Sequence, residues 1–309
     1  MISLRRAIYY AMHNKKEFID SCICNLWFLF GDKLYLTLRY KVIMGDWINW
    51  KRPRNFNEKL QWLKLYNRKD IYTNMVDKFA VKKLVSDIIG SEYVIPTIGV
   101  WDSPEHIDWK GLPNSFVLKT THGGGGSGVV ICKDKKSIDK TKINNILKRS
   151  LKSDIYKYFR EWPYKNVTGR IIAEPYLSDR NGQLNDYKFY CFDGKVKLMM
   201  MASGRFTDSM YFDYFDESGN HQDITWGKPQ NPVTPILPRN FDKMKEIASK
   251  LSQNIPHVRV DLYDVDGNIL FGELTFFDGS GFEKIYPERW NIMLGENIKI
   301  NNNLLKFRK

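Results

Sequence analysis

The sequence predicts an α+β protein: a helical N-terminal region, a small α+β subdomain and a larger α+β subdomain. Three observations point there. Apolar residues at helical spacing dominate residues 1–90. Short strand-like runs punctuated by glycine and proline take over from about residue 91. Two strand pairs further on are joined by Asp193-Gly194 and by Asp266-Gly267-Asn268, both turn-forming sequences. Strands and helices do not alternate as in a doubly wound sheet. The expected regions are residues 1–90, 91–173 and 174–309.

Taken in order, residues 56–66 place apolar side chains at helical intervals, with Asn55 or Asn57 as the cap. A second helix is expected over residues 74–89, stopped by Gly90. Residues 93–101 read as an irregular strand or strand pair. Strands follow at 115–119 and 128–132, on either side of a glycine run. Residues 141–159 read as a helix, and 169–177 as a strand leading into a hinge-like segment. Hairpins are expected for 186–192 with 195–202 and for 257–263 with 269–276, separated by a helix at 239–253. Residues 288–305 close the chain in helical and irregular form.

With 309 residues, 43% of them hydrophobic and 27% charged, the chain can build two or three cooperating subdomains. The formal net charge of +13 calls for anionic partners. Lysines and arginines crowd residues 133–152, which read as a solvated helix face. Without an aromatic strand platform or a reading helix, nucleic acid is not among the expected partners. Cys22, Cys24, Cys132 and Cys191 look like reduced thiols of a cytoplasmic protein, and Cys22-x-Cys24 is too tight for a zinc knuckle. No signal peptide is expected at the N-terminus, and the apolar run at 26–30 is too short to cross a bilayer. This basic, aromatic-rich segment has the make-up to rest on the inner face of a membrane. Packing against the protein body is the preferred reading.

The strongest local signal is Lys119-Thr120-Thr121-His122-Gly123-Gly124-Gly125-Gly126-Ser127-Gly128. A glycine run between two strands can close its backbone N–H groups over phosphate oxygens. Lys119, at the end of the preceding strand, can reach the same oxygens. His122 can touch phosphate or cap the loop. The run lacks the Gly-Lys-Ser/Thr ending of a P-loop.

A second signal lies in the late hairpin. Alternation places Arg259 with Asp261 on one face, and Glu273 with Thr275. Carboxylates facing each other across neighbouring strands repel unless a cation lies between them, and Mg²⁺ suits such oxygen ligands. The plainer alternative is a charged strand pair with Arg259 as counter-ion. A third signal is Glu174 at the head of Glu174-Pro175-Tyr176-Leu177, followed by Asp186 and Lys188 on one strand face. Lys188 can meet a nucleotide or an acidic substrate; the alternative is a cross-strand salt bridge. Asp264-x-Asp266 could suggest a metal-dependent glycosyltransferase, but it reads more simply as turn chemistry.

The ordered set resembles the ATP-grasp superfamily: Lys78, then Lys119 with Gly123–Gly128, Glu174, Asp261 and Glu273. More closely, it is similar to the TupA-like ATP-grasp family of bacterial polysaccharide loci. That likeness is carried by Phe56-Asn57-Glu58-Lys59, the Lys119–Gly128 run, Asp186-Tyr187-Lys188 and Gly272-Glu273-Leu274-Thr275-Phe276.

The resemblance implies an ATP-grasp fold with the small subdomain as a lid, and ATP held between it and the C-terminal subdomain. Lys78, Lys119 and the loop would contact phosphates. The segment with Glu174, Tyr176 and Leu177 would receive adenine, with Asp186 nearby. Asp261 and Glu273 would hold Mg²⁺, and Lys188 and Arg259 are the candidate catalytic cations. Many relatives carry Asn where this chain has Thr275, which leaves the number of metal ions open. The implied reaction joins a carboxylate to an amine through an acylphosphate, with an amino acid and an anionic sugar as substrates in surface-polysaccharide assembly. Assembly enzymes would then be partners. A sugar-modifying transferase, a kinase on this fold and a non-catalytic nucleotide-binding scaffold are the alternatives.

Overall fold

A computed structural model describes residues 14–300, except 125, 127, 181, 183 and 205–209. The helices among them are α1 (Lys15–Asn25), α2 (Asp32–Met44), α3 (Phe56–Tyr66), α4 (Ile71–Val76), α5 (Ala80–Ile89), α6 (Lys140–Leu151), α7 (Ile155–Phe159), α8 (Phe241–Leu251) and α9 (Glu288–Asn297). The strands are β1 (Gly99–Trp101), β2 (Phe116–Thr120), β3 (Val129–Cys132), β4 (Ile171–Pro175), β5 (Asp186–Phe192), β6 (Lys195–Ser203), β7 (Tyr211–Asp216), β8 (His221–Gln222), β9 (Thr225–Trp226), β10 (Val258–Val265), β11 (Asn268–Thr275) and β12 (Ile285–Tyr286). The chain divides into two compact units. One takes the chain up to Arg68, Tyr156–Trp162 and everything from Phe277 onward; the other takes Lys69–Ile155 and Pro163–Phe276.

In the first unit α3 is central, and its start is fixed by a capping box. The Asn55 side chain accepts from the Glu58 N–H at 2.9 Å, and Glu58 reaches back to the Asn55 N–H. Such a cap stabilises a helix by about 1 kcal/mol. Phe56, Leu60, Trp62 and Leu63 of α3 are buried. So are Asn57, Glu58, Gln61 and Lys64, and each has partners. Asn57 donates to the Glu283 carbonyl at 2.9 Å. Gln61 donates to the carbonyls of Ser280 and Gly281, at 3.0 and 2.9 Å. Lys64 donates to Ser280 Oγ and carbonyl, both at 2.8 Å. Helix α9 crosses α3 at Gly295, where a Cβ would lie 2.6 Å from the Arg54 carbonyl oxygen. The segment at 156–162 supplies the Arg160 guanidinium, 4.1 Å over the buried Tyr35 ring.

The second unit holds two antiparallel sheets. The four-stranded sheet runs β1-β4-β2-β3 and the six-stranded sheet β11-β10-β5-β6-β7-β8. Alternation along β2 sends Phe116 and Leu118 into a core with Ile143 and Leu147 of α6. Val117 and Lys119 therefore point to the opposite face. Helix α8 packs on β5, β6 and β10 through Met244, Ile247, Ala248 and Leu251. Both expected hairpins form, and the β10–β11 turn uses Asp266 and Gly267 at positive φ.

Two expected helices are each divided. The helix expected at 74–89 becomes α4 and α5, because Asp77 adopts an extended backbone and its carboxylate accepts from Phe79 and Ala80 N–H at 2.9 and 2.7 Å. That side chain caps a new helix rather than continuing the old one. The helix expected at 141–159 stops at Leu151, where the Ser153 hydroxyl donates to the Ser150 carbonyl at 2.6 Å.

Candidate active site

The six-stranded sheet carries a charged row across three strands. Lys188 of β5 lies directly opposite Asp261 of β10, and Asp261 directly opposite Glu273 of β11. The next row places Arg259 opposite Thr275. Lys188 forms ion pairs with Asp261 and with Asp186, the latter at 2.7 Å. Arg259 grips Asp261 with two bonds, Nε to Oδ1 at 2.7 Å and Nη2 to Oδ2 at 2.8 Å. Nη2 also donates to Thr275 Oγ1 at 3.2 Å and lies 3.5 Å from Glu273. Asp186, Lys188, Arg259 and Asp261 are all buried, whereas the Glu273 side chain is 37% exposed.

On the four-stranded sheet, Val117 pairs with Glu174, which makes Lys119 a diagonal neighbour of Glu174 on the same face. The Glu174 carboxylate bridges two ammoniums, Lys119 and Lys82, each at 2.6 Å. Lys82 is anchored by the Ile95 carbonyl at 2.8 Å and Thr97 Oγ1 at 2.7 Å. The sequence reading missed Lys82. Its signal was the four-residue spacing from Lys78, although Asp77 interrupts the helix just before both.

Lys78 links the two groups. Its ammonium donates to the Gly123 carbonyl at 2.5 Å and lies 3.4 Å from Glu273 Oε2. Its own N–H donates to the Thr121 carbonyl at 2.9 Å. The glycine run is tethered at its base. Thr121 exchanges bonds with Arg170, and Thr120 Oγ1 meets Ser150 Oγ at 2.6 Å. Gly126 and Gly128 take φ of +78° and +77°, the left-handed region that glycine favours. Gly124 is described with them, while Gly125 and Ser127 lie outside the described residues. His122 is buried against Gly169, where a Cβ would come within 2.4 Å of its ring.

Protonation follows from this arrangement. Partial burial would raise the Glu273 carboxyl, but Lys78, Lys188, Arg259 and Lys119 hold it at about 2. Burial likewise opposes Glu174 ionisation, and Lys119 and Lys82 overcome it, drawing the carboxyl below its usual range. The same burial lowers Lys82, against the pull of Glu174. Two cations on one carboxylate favour the ionised form. Burial pushes Asp261 up, opposed by Arg259 and Lys188, while Asp261 and Asp186 keep Lys188 raised despite its burial. Burial pushes the His122 imidazole down.

Tyr176 and Leu177 follow β4 and are half-buried. Tyr176 lines a cavity of ≈ 640 Å³ with Ile131, Lys133, Lys142 and Ile146, and Lys133 lies 5.7 Å over its ring. Asp264 is used by the turn: its carboxylate accepts from the Gly267 N–H at 2.7 Å and from Asn240 at 3.1 Å. Asp264-x-Asp266 therefore closes a hairpin.

An α+β protein with a lysine–carboxylate cleft beside a glycine-rich loop is the class that the fold and site define. A family profile described as TupA-like ATPgrasp matches residues 58–299, and the chain belongs to that family. Its fold is the ATP-grasp fold. No curated protein matches the chain. Among solved structures, D-alanine–D-alanine ligase from Bacillus anthracis is similar at 16% identity and a TM-score of 0.39, over 65% of this chain and 57% of that one. The D-alanine–D-alanine ligase of Helicobacter pylori is 12% identical with a TM-score of 0.41, over 79% and 69%. D-cycloserine synthetase DcsG is 17% identical with a TM-score of 0.40, over 73% and 71%. The chain thus spans little more than half the length of the Bacillus ligase. The family match carries the fold.

Asp261, Glu273 and Thr275 are oxygen donors of the kind a hard divalent cation takes, while in this structure Arg259 and Lys188 hold both Asp261 oxygens. Asp261 and Glu273 are directly opposed, and the Thr275 hydroxyl lies 3.4 Å from Glu273 Oε1. Among the described residues no cluster of three or more His, Cys, Asp and Glu side chains is arranged as a complete metal cage. Mg²⁺ does not need one, because it takes one or two carboxylates and completes its shell with phosphate and water.

Proposed function

We propose that this protein is a Mg·ATP-dependent carboxylate–amine ligase that works through an acylphosphate. The observation that carries the reading is Lys78, which touches the glycine-rich loop at Gly123 and the candidate metal carboxylate Glu273 at once. Lys119, Lys78 and the loop N–H groups neutralise the polyphosphate. Asp261 and Glu273, with Thr275 beside them, are the residues that would hold Mg²⁺, which supplies positive charge to the transferring phosphoryl group. Glu174, Tyr176 and Leu177 border the base. Lys188 and Arg259 orient the attacking carboxylate and stabilise charge on the phosphoryl oxygens.

A substrate carboxylate oxygen attacks the γ-phosphorus, and ADP leaves with the bridging oxygen. An amine then attacks the acyl carbon and phosphate departs, giving the amide after the nitrogen loses a proton. The protein's share is positioning and charge neutralisation. The proposed substrates are an amino acid and a uronic acid or other anionic sugar of a bacterial surface polysaccharide, met in the cytoplasm alongside assembly enzymes.

Calorimetry tests the nucleotide site. Mg²⁺-dependent ATP binding by the wild type, weakened in Lys119→Ala and Glu273→Ala, supports it; a folded protein without ATP binding removes it. Amino-acid and sugar-acid pairs are then screened for ADP release. ADP with phosphorylated sugar and no amide would favour a kinase.

A further inference from the structure

We propose that the N-terminal helical face of the first unit is a peripheral contact for an anionic lipid surface. Helix α1 supplies the first observation: none of its described residues is buried. Lys15, Ile19, Cys22 and Leu26 follow one another at intervals of four, three and four residues, a single helical stripe, and all are exposed. The stripe runs into Phe28, 65% exposed, Leu29, 63% exposed, and Leu34 at the start of α2, 52% exposed. Consecutive large apolar side chains standing in water mark a contact site.

The second observation is the company these residues keep. Lys157 lies 5.3 Å over the Trp27 ring, Lys33 5.8 Å over Trp50 and Lys41 5.4 Å over the exposed Trp47. Tyr158 and Phe159, beside Lys157, are exposed as well. Trp27 and Trp50 are half-buried against Tyr35, Leu36 and Leu65, whereas the exposed Trp47 ring under Lys41 pairs an apolar body with a cationic tip, which suits a headgroup region.

Charge selects the occupant. Residues 14–68 contain eleven Lys and Arg against five Asp and Glu. Asp20 is held by Arg39, and Asp32 by Arg68 and Arg160. Lys15, Lys16, Lys33, Lys51, Arg52 and Arg54 remain exposed, against exposed Glu17 and Asp46. A second copy of this chain would bring the same positive charge against itself. An anionic leaflet answers both the charge and the apolar side chains. Among the described residues no helix is long and apolar enough to cross a membrane, so this contact lies on the surface.

The test is cosedimentation of the full chain with extruded vesicles of phosphatidylcholine alone and of phosphatidylcholine with a quarter phosphatidylglycerol. The expected result is at least tenfold greater retention on the anionic vesicles, falling as salt rises. Phe28→Ser/Leu29→Ser should abolish retention while leaving the circular dichroism spectrum and calorimetric ATP binding as in the wild type. Lys15→Glu/Lys33→Glu should weaken it most at low salt. Equal retention on both vesicle types overturns the proposal, as does retention that survives the apolar substitutions. A wild-type dimer in sedimentation velocity that the same substitutions dissolve also overturns it, by assigning the face to a second copy. ATP binding is read separately, so failure here leaves the ligase reading untouched.

Discussion

Lys82 stands opposite Lys119 across the Glu174 carboxylate, each ammonium 2.6 Å from its own oxygen. The carboxylate is buried at the end of β4 and sets where the Lys119 ammonium lies. Glu174→Gln leaves two half-buried lysines facing a buried, uncharged amide. Removing one partner of a buried ion pair costs about 3–5 kcal/mol. The expected outcome is a loss in that range by chemical denaturation and, on the ligase reading, a Mg·ATP affinity about tenfold weaker by calorimetry. Lys82→Met tests the positioning role: ATP binding should weaken although, on this reading, Lys82 does not itself contact ATP.

The Glu273 carboxyl gives a pH prediction whose sign is fixed. It is held at about 2 by the surrounding cations, below its ordinary value of 4.5. A folded-state value below the unfolded one adds stability that is full above about 4.5 and lost as pH falls toward 2. Glu273→Gln should therefore have a flatter stability profile than the wild type between those limits. Parallel acid-unfolding curves for the two proteins would contradict it.

Two glycines of the loop should respond differently to alanine. Gly126 and Gly128 share a positive φ, but a Cβ at Gly126 meets open space, whereas one at Gly128 would lie 2.0 Å from Ser150 Oγ. Gly126→Ala should cost about 1–2 kcal/mol from backbone conformation alone. Gly128→Ala should cost more, because it also displaces the Thr120–Ser150 hydrogen bond. Thermal melts of both variants check the order, and Gly128→Ala/Ser150→Ala should recover little, because the Ser150 Cβ would itself lie 2.4 Å from the added carbon.

In the first unit, burial lowers Lys64 and raises Glu161, and the two attract each other around Ser280. Lys64→Met alone leaves Glu161 buried without its cation, and a loss of about 3–5 kcal/mol is expected. Lys64→Met/Glu161→Leu should recover most of it. Denaturation of the two variants decides, and a double variant as unstable as the single would refute the pairing.

The order of elements was legible because turns and alternation are local signals. Asp193-Gly194 and Asp266-Gly267 announced their hairpins, and alternation placed Arg259 with Asp261. What escaped depended on side chains bonding to distant or nearby backbone. Asp77 looks like any helical aspartate until it caps α5. Strands β7 and β8 carry no clean alternation, since Tyr211 and Phe212 are both half-buried. Lys119 was visible beside a glycine run, and Lys78 only through the family resemblance. Lys82 was not, because its role appears only once Glu174 of β4 is brought beside it.

The first unit is assembled from three stretches far apart in sequence, and this sets an order of events during synthesis. Helix α3 leaves the ribosome early, yet Gln61 and Lys64 find their partner at Ser280, more than two hundred residues later. Until then the face of α3 that carries Asn57, Gln61 and Lys64 lacks its C-terminal cover. The stretches of the second unit, 69–155 and 163–276, are made before that C-terminal segment. Low yields from chains truncated near residue 276 would follow from this late completion, through aggregation of an unfinished helical core rather than damage to the cleft.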